Sequence, residues 1–326
     1  MLVPNRMVVK LVTCVIGGSG FIGRAVVDEL LALGDRQVVV VGRQAAAPHL
    51  PPAVRYVQNA SGATDEVLET LLASADEVID LAYATVPQTS FQNPVNDVLV
   101  NLPEAVRLFE HAARWSLRKF VWVSSGGTVY GHARQVPLTE EHPTDPVSPY
   151  GITKLAIEKY AHLYFHAAQL PVVCVRPSNA FGEGQRVYAG QGFIGTAIAS
   201  VLDGRPLDLF GAEGTIRDYL HVRDVARGIV AALLGGQAGQ VYNLGSGMGH
   251  SNRQVLELLA PLAEARGLRS IVRVLPERPF DVKVNVLDSS KLHAHTGWAP
   301  TVPFAEGLRR AWDWYVRHYE PGVGIR

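Results

Sequence analysis

A chain of 326 residues is too long for one small core and fits a large domain with a smaller second lobe. Lys+Arg and Asp+Glu stand at 30 each, so no net field draws polyanions or acidic lipid, and nucleic acid is not an expected partner. No run approaches the roughly 18 apolar residues that span a bilayer, Met1 to Lys10 has no apolar signal core, and Cys14 and Cys174 sit in apolar runs as buried free thiols, so a soluble chain in a reducing cytoplasm is expected.

The first elements are a strand from Val8 to Ile16, a helix from Phe21 to Gly34 and a second strand from Gln37 to Val41, which is a βαβ rhythm. Apolar runs at Glu77 to Ala82, Lys119 to Ser124 and Val172 to Val175 follow, with helical intervals between them. Continuous apolar strands separated by helices predict an α/β fold, a doubly wound parallel sheet of the Rossmann type over residues 1–176. After Arg176-Pro177 the pattern is irregular and richer in Gly and Pro, notably from Phe181 to Gly195. Residues 177–326 are therefore read as a smaller C-terminal α/β lobe built from loops. Val241 to Leu244 again reads as a buried strand, so the chain is expected to return to the first sheet around 217–247.

Where the first strand meets the first helix the sequence is Gly17-Gly18-Ser19-Gly20-Phe21-Ile22-Gly23. Glycines at this spacing permit a tight turn, let backbone N–H groups approach a pyrophosphate and let the helix pack on the strand. An isolated match could be an ordinary Gly-rich turn, but the strand before it and the helix and strand after it point to dinucleotide binding. After the second strand an NAD site usually carries an acid for the adenosine ribose, and here the residues are Gly42-Arg43. A guanidinium in place of a carboxylate leans toward the 2′-phosphate of NADP. The alternative, that Arg43 stacks on adenine or faces solvent, leaves NAD or NADP open.

Ser148-Pro149-Tyr150-Gly151-Ile152-Thr153-Lys154 reads as a helix start, with Ser148 as cap and Pro149 in the first turn, so Tyr150 and Lys154 share a face. A phenol titrating near about 10 needs a neighbouring cation before it serves as a base at neutral pH. Lys154 is placed to provide one. Alone, such a pair is more often a plain helix face, and the upstream glycine loop changes that balance. Between the two motifs, Phe120 to Gly131 is a buried strand opening into the hydroxyls of Ser124, Ser125 and Thr128. These are expected to face the reacting centre unless they only satisfy turn backbone.

With those residues in view the chain resembles the extended short-chain dehydrogenase/reductases, specifically the NAD-dependent sugar epimerase/dehydratase group and its UDP-glucose 4-epimerase-like members. The resemblance is carried by Gly17 to Gly23, Ser124 to Gly131, Ser148 to Lys154, Arg176 to Gly182, Arg217 to Val222, Asn243 to Ser246 and Arg278-Pro279-Phe280-Asp281. It implies that Tyr150 is the acid/base, that Lys154 lowers its pKa and holds the nicotinamide ribose, and that Asn101 orders the proton relay. It also implies diphosphate-binding roles for Arg217 and Arg278 and a substrate contact for Asn179. Taken alone, each Arg is a surface charge and Asn179 a turn residue. Cofactor contacts are expected from Gly17, Gly20, Phe21, Ile22, Gly23, Gly42, Arg43, Leu81, Ala82, Tyr83, Thr85, Val123, Ser124, Tyr150, Lys154 and Pro177. No metal is expected.

The chain departs from the family at several places. Gly126 stands four residues before Tyr130, where relatives place a catalytic Ser or Thr, so that role passes to Ser125 or Thr128, with Ser125 preferred. Asn59-Ala60 and Gly42 alter the adenosine pocket twice, and Asp80 replaces a frequent His. The expected activity is C4 epimerisation of a nucleotide-activated hexose. The alternatives are an NADPH-dependent 4-ketoreductase of a nucleotide-activated deoxysugar and a noncatalytic NAD(P) sensor. Gly126-Gly127, where dehydratases carry Asp-Glu, disfavours dehydration. The resemblance implies a homodimer through helices around Asn96 to Arg114 and Tyr150 to Ala168.

Overall fold

The structure, a computed structural model, describes residues 10–45, 49–58, 65–188, 190, 192–278 and 281–325. Val8-Val9, Asn59-Ala60 and Pro279-Phe280, all invoked above, lie outside the described residues. The chain opens with β1 (Leu11–Ile16), α1 (Phe21–Ala32), β2 (Arg36–Gly42), β3 (Arg55–Gln58), α2 (Asp65–Ala73) and β4 (Glu77–Asp80). It continues through α3 (Pro87–Gln92), α4 (Pro94–Ala112), β5 (Lys119–Val123), α5 (Pro149–Ala168) and β6 (Val172–Pro177). α1 stops two residues short of the expected Gly34, which adopts φ +76° just beyond the helix and turns the chain into β2.

The strands described so far, joined later by β10 (Val241–Leu244), form a seven-stranded sheet in the order β10-β6-β5-β4-β1-β2-β3, every pairing parallel. β2 shows why the apolar run is continuous. Val38 and Val40 pack with Val15, Val26 and Leu30 on one face, while Val39 and Val41 pack with Cys14, Leu72 and Phe109 on the other. Each buried Val side chain contributes about 1.5–3 kcal/mol relative to exposure. The chain leaves β1 toward β2 and β3, then crosses to β4 on the other side of β1. The carboxyl ends of β1 and β4 therefore flank a topological switch point, where ligands bind in such sheets.

The stretch beyond residue 177, read from sequence as a smaller α/β lobe built from loops, contains four helices of 11 or more residues among the described residues. Its elements are β7 (Asn179–Phe181), α6 (Phe193–Asp203), β8 (Pro206–Phe210), β9 (Ile216–His221), α7 (Val222–Gly235), the returning β10, β11 (Gly249–Ser251) and α8 (Asn252–Glu264). β12 (Ile271–Leu275), β13 (Val284–Asn285), α9 (Ser290–Thr296) and α10 (Phe304–His318) follow, and β14 (Tyr319–Glu320) pairs with β15 (Gly324–Ile325) at the end. Short strands and interspersed Gly hid the regularity. α6, α8 and α10 bury Ile198, Leu259 and Trp312 in their own core with Phe181 and Tyr219, whereas the residues of α7 join the core of the large sheet.

One buried carboxylate links the two parts. Asp218 on β9 is fully buried and accepts hydrogen bonds from Ser246 N (2.9 Å) and Oγ (2.6 Å), Gly247 N (3.2 Å) and Leu287 N (3.2 Å). Burial raises its pKa and these donors oppose the rise, so the charge is accommodated by bonds from the loop after β10 and the segment after β13.

Candidate active site

The glycine loop lies at the switch point. Gly17, with φ +80°, donates to Val41 O at 2.8 Å, and a Cβ there would sit 3.0 Å from Ala82 N in the loop after β4. A Cβ on Gly23 would lie 2.3 Å from Gly17 O and 2.6 Å from Gly18 Cα, so only hydrogen lets α1 pack against the turn. Gly20 caps α1 without a side-chain hydrogen bond, and the first turn, which begins with Phe21 and Ile22, holds no acid. The result is bare backbone at an uncompensated positive helix end, which fits the pyrophosphate of a dinucleotide.

α5 carries Tyr150 and Lys154, the pair expected to transfer the proton. Ser148 caps it by accepting from Gly151 N at 3.1 Å, and Pro149 occupies the first turn. Tyr150 N donates to Ser90 Oγ at 3.2 Å, and the Tyr83 ring meets the Tyr150 ring edge-on at 4.9 Å. One turn on, Lys154 is buried. Its Nζ donates to Val123 O at 2.9 Å and lies 4.1 Å from the Tyr83 ring centroid, 4.6 Å from that of Trp122 and 5.8 Å from that of Tyr150. Burial holds the Lys154 ammonium below the usual lysine range, against the opposing pull of Asp80, Glu158 and Asp97. Burial also pushes the Tyr150 phenol up, and Asp97 adds to the rise. The lowering expected from Lys154 is not among the influences on the phenol in the chain alone, where desolvation and a nearby carboxylate both disfavour phenolate.

Asp80 ends β4 beneath this pair, in register with Trp122, and its Oδ1 accepts from Ala82 N at 3.0 Å. Burial raises its pKa, while the Ala82 N–H and Lys154 work against that rise. A buried acid thus ends β4, and its charge favours the ammonium form of Lys154.

The hydroxyl loop divides by direction. Ser124 is turned inward and donates to Glu158, so its side chain does not face the reacting centre as expected. Glu158 also pairs with Arg176, whose NH2 lies 2.6 Å from Oε2, and Arg176 NH1 donates to Tyr130 OH at 2.8 Å. Ser125 and Thr128 remain partly exposed, and Thr128 Oγ1 reaches only Ser125 O at 3.5 Å. Gly126 cannot carry a side chain in this packing. A Cβ there would sit 2.5 Å from Leu287 Cδ1 and 2.8 Å from Arg176 O. Pro177 belongs to the same junction, its carbonyl accepting from Gly126 N at 2.8 Å.

Asn101 on α4 faces the loop after β4. Its Oδ1 accepts from Ala84 N at 2.8 Å, and its Nδ2 donates to Thr85 Oγ1 at 3.1 Å and Asp97 O at 2.8 Å. Asp97 accepts in turn from Thr85 Oγ1 and from Thr153 Oγ1, the latter at 2.7 Å. The loop from Leu81 to Thr85, α4 and α5 are therefore bound into one frame. Sequence reasoning missed Asp97 and Glu158. Both lie four residues from a named site residue on the same helix, Asn101 and Lys154, and an acid on a site-facing stripe is the signal that marks them.

On the lobe side, Asn179 begins β7, and its Oδ1 is buried without a hydrogen-bond partner, 3.4 Å from where a Gly127 Cβ would stand. Arg217 on β9 is largely buried, and its NH1 donates to Ile216 O at 2.8 Å. Burial lowers its pKa, Tyr219 and Asp281 oppose this, and Arg278 adds to it, so the two arginines lie within each other's field. Arg278 pairs with Asp281 at 2.8 Å and lies 4.0 Å from the Phe210 ring centroid. Two cations held close, one desolvated, favour an anionic ligand between them.

The sequence pattern of the NAD dependent epimerase/dehydratase family matches residues 13–245, from β1 through β10. The chain belongs to that family. It is 32% identical over 314 residues to a UDP-glucose 4-epimerase of Mycolicibacterium smegmatis, covering 93% of this chain and 98% of that one. It is 26% identical to a dTDP-4-dehydro-6-deoxyglucose reductase of Escherichia coli, over 90% of this chain and 93% of that one. The solved Thermus thermophilus UDP-glucose 4-epimerase in complex with NAD superposes with a TM-score of 0.83 at 34% identity, covering 94% of this chain and 99% of that one. The family is that of nicotinamide-dependent enzymes of nucleotide-sugar chemistry, and the glycine loop and α5 of this chain fit such a cofactor.

Proposed function

We propose that the protein interconverts C4 epimers of a nucleotide-activated hexose. The observation that carries this reading is the placement of Tyr150 and Lys154 at the carboxyl end of the sheet, with Arg217 and Arg278 on the facing lobe. A bound nicotinamide dinucleotide supplies the chemistry of accepting the C4 hydride and returning it. Tyr150 would take the 4-hydroxyl proton as the 4-ketose forms and return it to the 4-oxygen, while the hydride comes back to C4 on the opposite face. Lys154 holds positive charge beside that phenol, while Arg217 and Arg278 grip the diphosphate so that the ketose stays bound as the sugar turns. Ser125 or Thr128, with Ser125 preferred, would supply the hydroxyl between the sugar and Tyr150, and Asn179, whose buried Oδ1 has no partner, would offer it an acceptor.

Purified protein given UDP-hexoses and dinucleotide should form the C4 epimer, detected by NMR, and Tyr150→Phe should not. Absence of any epimer across the panel, with dinucleotide bound, sinks the proposal. Gly42-Arg43 favours a second reading, an NADPH-dependent 4-ketoreductase of a nucleotide-activated deoxysugar. Stoichiometric loss of NADPH absorbance with a 4-keto sugar nucleotide distinguishes it. A noncatalytic sensor predicts no activity that Tyr150→Phe can remove.

The proposal includes a homodimer in the cytoplasm. Val95 and Leu99 on α4 are 67% and 64% exposed, and Ile152 and Leu163 on α5 are 55% and 52% exposed, an apolar face suited to a second copy. Light scattering should give twice the chain mass, and Leu99→Glu should halve it. No helix among the described residues is long and apolar enough to cross a membrane.

A further inference from the structure

The residue at the end of β2 normally decides how the adenosine ribose is read, because its side chain projects toward the ribose hydroxyls. In this chain a side chain at that position would have to displace its neighbours. An ideal Cβ on Gly42 would lie 2.7 Å from Tyr56 OH, 3.1 Å from Tyr56 Cε2 and 3.0 Å from Ser19 Oγ. Tyr56 comes from β3, paired in register with Val40, and its hydroxyl is fixed by donating to Gln44 O at 2.7 Å. The phenol therefore fills the volume an acid would use.

Three consequences follow for the subsite. It holds no carboxylate at position 42, so no side chain at that position accepts from the 2′- and 3′-hydroxyls or repels a phosphate. Ser19, in the glycine loop, has no hydrogen bond from its hydroxyl among the described residues and is free to donate. Arg43, the next residue along, is exposed, and no hydrogen bond or ion pair engages its guanidinium among the described residues. A neutral donor, a free cation and a position 42 without an acid suit a phosphate better than a hydroxyl.

We propose that the ribose end of the cradle takes a 2′-phosphorylated dinucleotide, NADP(H), with Arg43 pairing the phosphate and Tyr56 as the specificity-determining residue that keeps position 42 bare. This rests on the reading of the glycine loop as a dinucleotide site. It is compatible with epimerisation, in which the cofactor is retained, and with ketoreduction, in which it exchanges.

The test is fluorescence titration of nucleotide-stripped protein with NADPH and NADH, which needs no substrate or turnover. NADPH should bind at least about tenfold more tightly than NADH. Arg43→Ala, a surface change, should weaken NADPH about tenfold, the scale of one lost charge-assisted hydrogen bond, and leave NADH unchanged. Gly42→Asp alone should weaken both nucleotides, because the new side chain must displace Tyr56 from Gln44. Gly42→Asp with Tyr56→Ser should bind NADH more tightly than NADPH. Equal or tighter NADH binding by the native protein overturns the proposal, as does an equal loss for both nucleotides in Arg43→Ala. Failure to bind either nucleotide overturns the dinucleotide reading as well, so the two failures are distinct.

Discussion

Gly126 tests whether the hydroxyl missing from the family position was lost by drift or is excluded by packing. A Cβ at 126 would meet Leu287 Cδ1 at 2.5 Å and Arg176 O at 2.8 Å. Leu287 is fully buried with Val129, Tyr130 and Leu138, so moving its side chain disturbs that cluster. The Arg176 carbonyl is part of β6 and moves only with the strand. Gly126 N is tied to Pro177 O at 2.8 Å, and Gly126 O accepts from Asn285 Nδ2 at 3.0 Å, so the loop is held at both ends of the residue. Overpacking of this kind costs about 1–3 kcal/mol. At about 2–4 °C per kcal/mol for a domain of 150–250 residues, Gly126→Ala should lower the unfolding midpoint by about 2–12 °C, toward the smaller end for this longer chain. Gly126→Ser should do at least as much harm and add no activity. Leu287→Ala should offset part of the cost, so the double variant is more stable than the sum of the singles predicts. Calorimetric scans of the four proteins, run beside C4-epimer formation, decide the matter. If Gly126→Ser kept its midpoint and gained rate, position 126 would be free to host the family hydroxyl and the packing account would be wrong.

Other expectations follow from the same geometry. Tyr150→Phe should reduce turnover by about 10²–10⁴-fold, the usual share of a general acid/base, while nucleotide titration shows binding retained. Glu158→Ala leaves Arg176 as an unpaired cation in a site where both side chains are almost inaccessible, so the urea midpoint should report a loss of about 3–5 kcal/mol, with Glu158→Gln milder. Asp80→Asn removes the largest carboxylate influence opposing burial at Lys154. The ammonium should then lose its proton at lower pH, and the alkaline limb of the kcat/KM profile should move toward neutrality. A limb that stays in place or moves to higher pH contradicts that assignment.

The parts of the fold legible in the sequence were those fixed by short-range rules. A strand buried on both faces must be continuously apolar, so β1, β2, β4, β5 and β6 were found within two or three residues of their ends. Ser148-Pro149 gave the start of α5, because a capping hydroxyl and a proline each act within one turn. The returning strand β10 was also visible, as Val241 to Leu244. What local rules could not supply was the lobe. β7, β11 and β13 have only two or three residues each, too few for periodicity to register, and their pairing with β9 is set by contacts distant in sequence. In the site, Tyr150, Lys154 and the glycines declared themselves by spacing. Tyr56 did not, because its effect on Gly42 arises from the register of β2 against β3. The inward turn of Ser124 was equally invisible, since it depends on Glu158 and Arg176 arriving from α5 and β6.

The electrostatics of the centre give these separate features a common cause. Three carboxylates, Asp80, Asp97 and Glu158, act on one buried ammonium, yet each is also committed elsewhere: Asp80 to Ala82 N, Asp97 to Thr85 and Thr153, and Glu158 to Ser124 and Arg176. These commitments keep the acids fixed, and the acids keep Lys154 charged against the pull of burial. The same desolvation raises Tyr150, and the charge of Asp97 raises it further, so the chain alone holds the phenol in its protonated form. In the proposed reaction Tyr150 would then serve as a base only with added positive charge beside it, such as that of an oxidised nicotinamide in the glycine cradle.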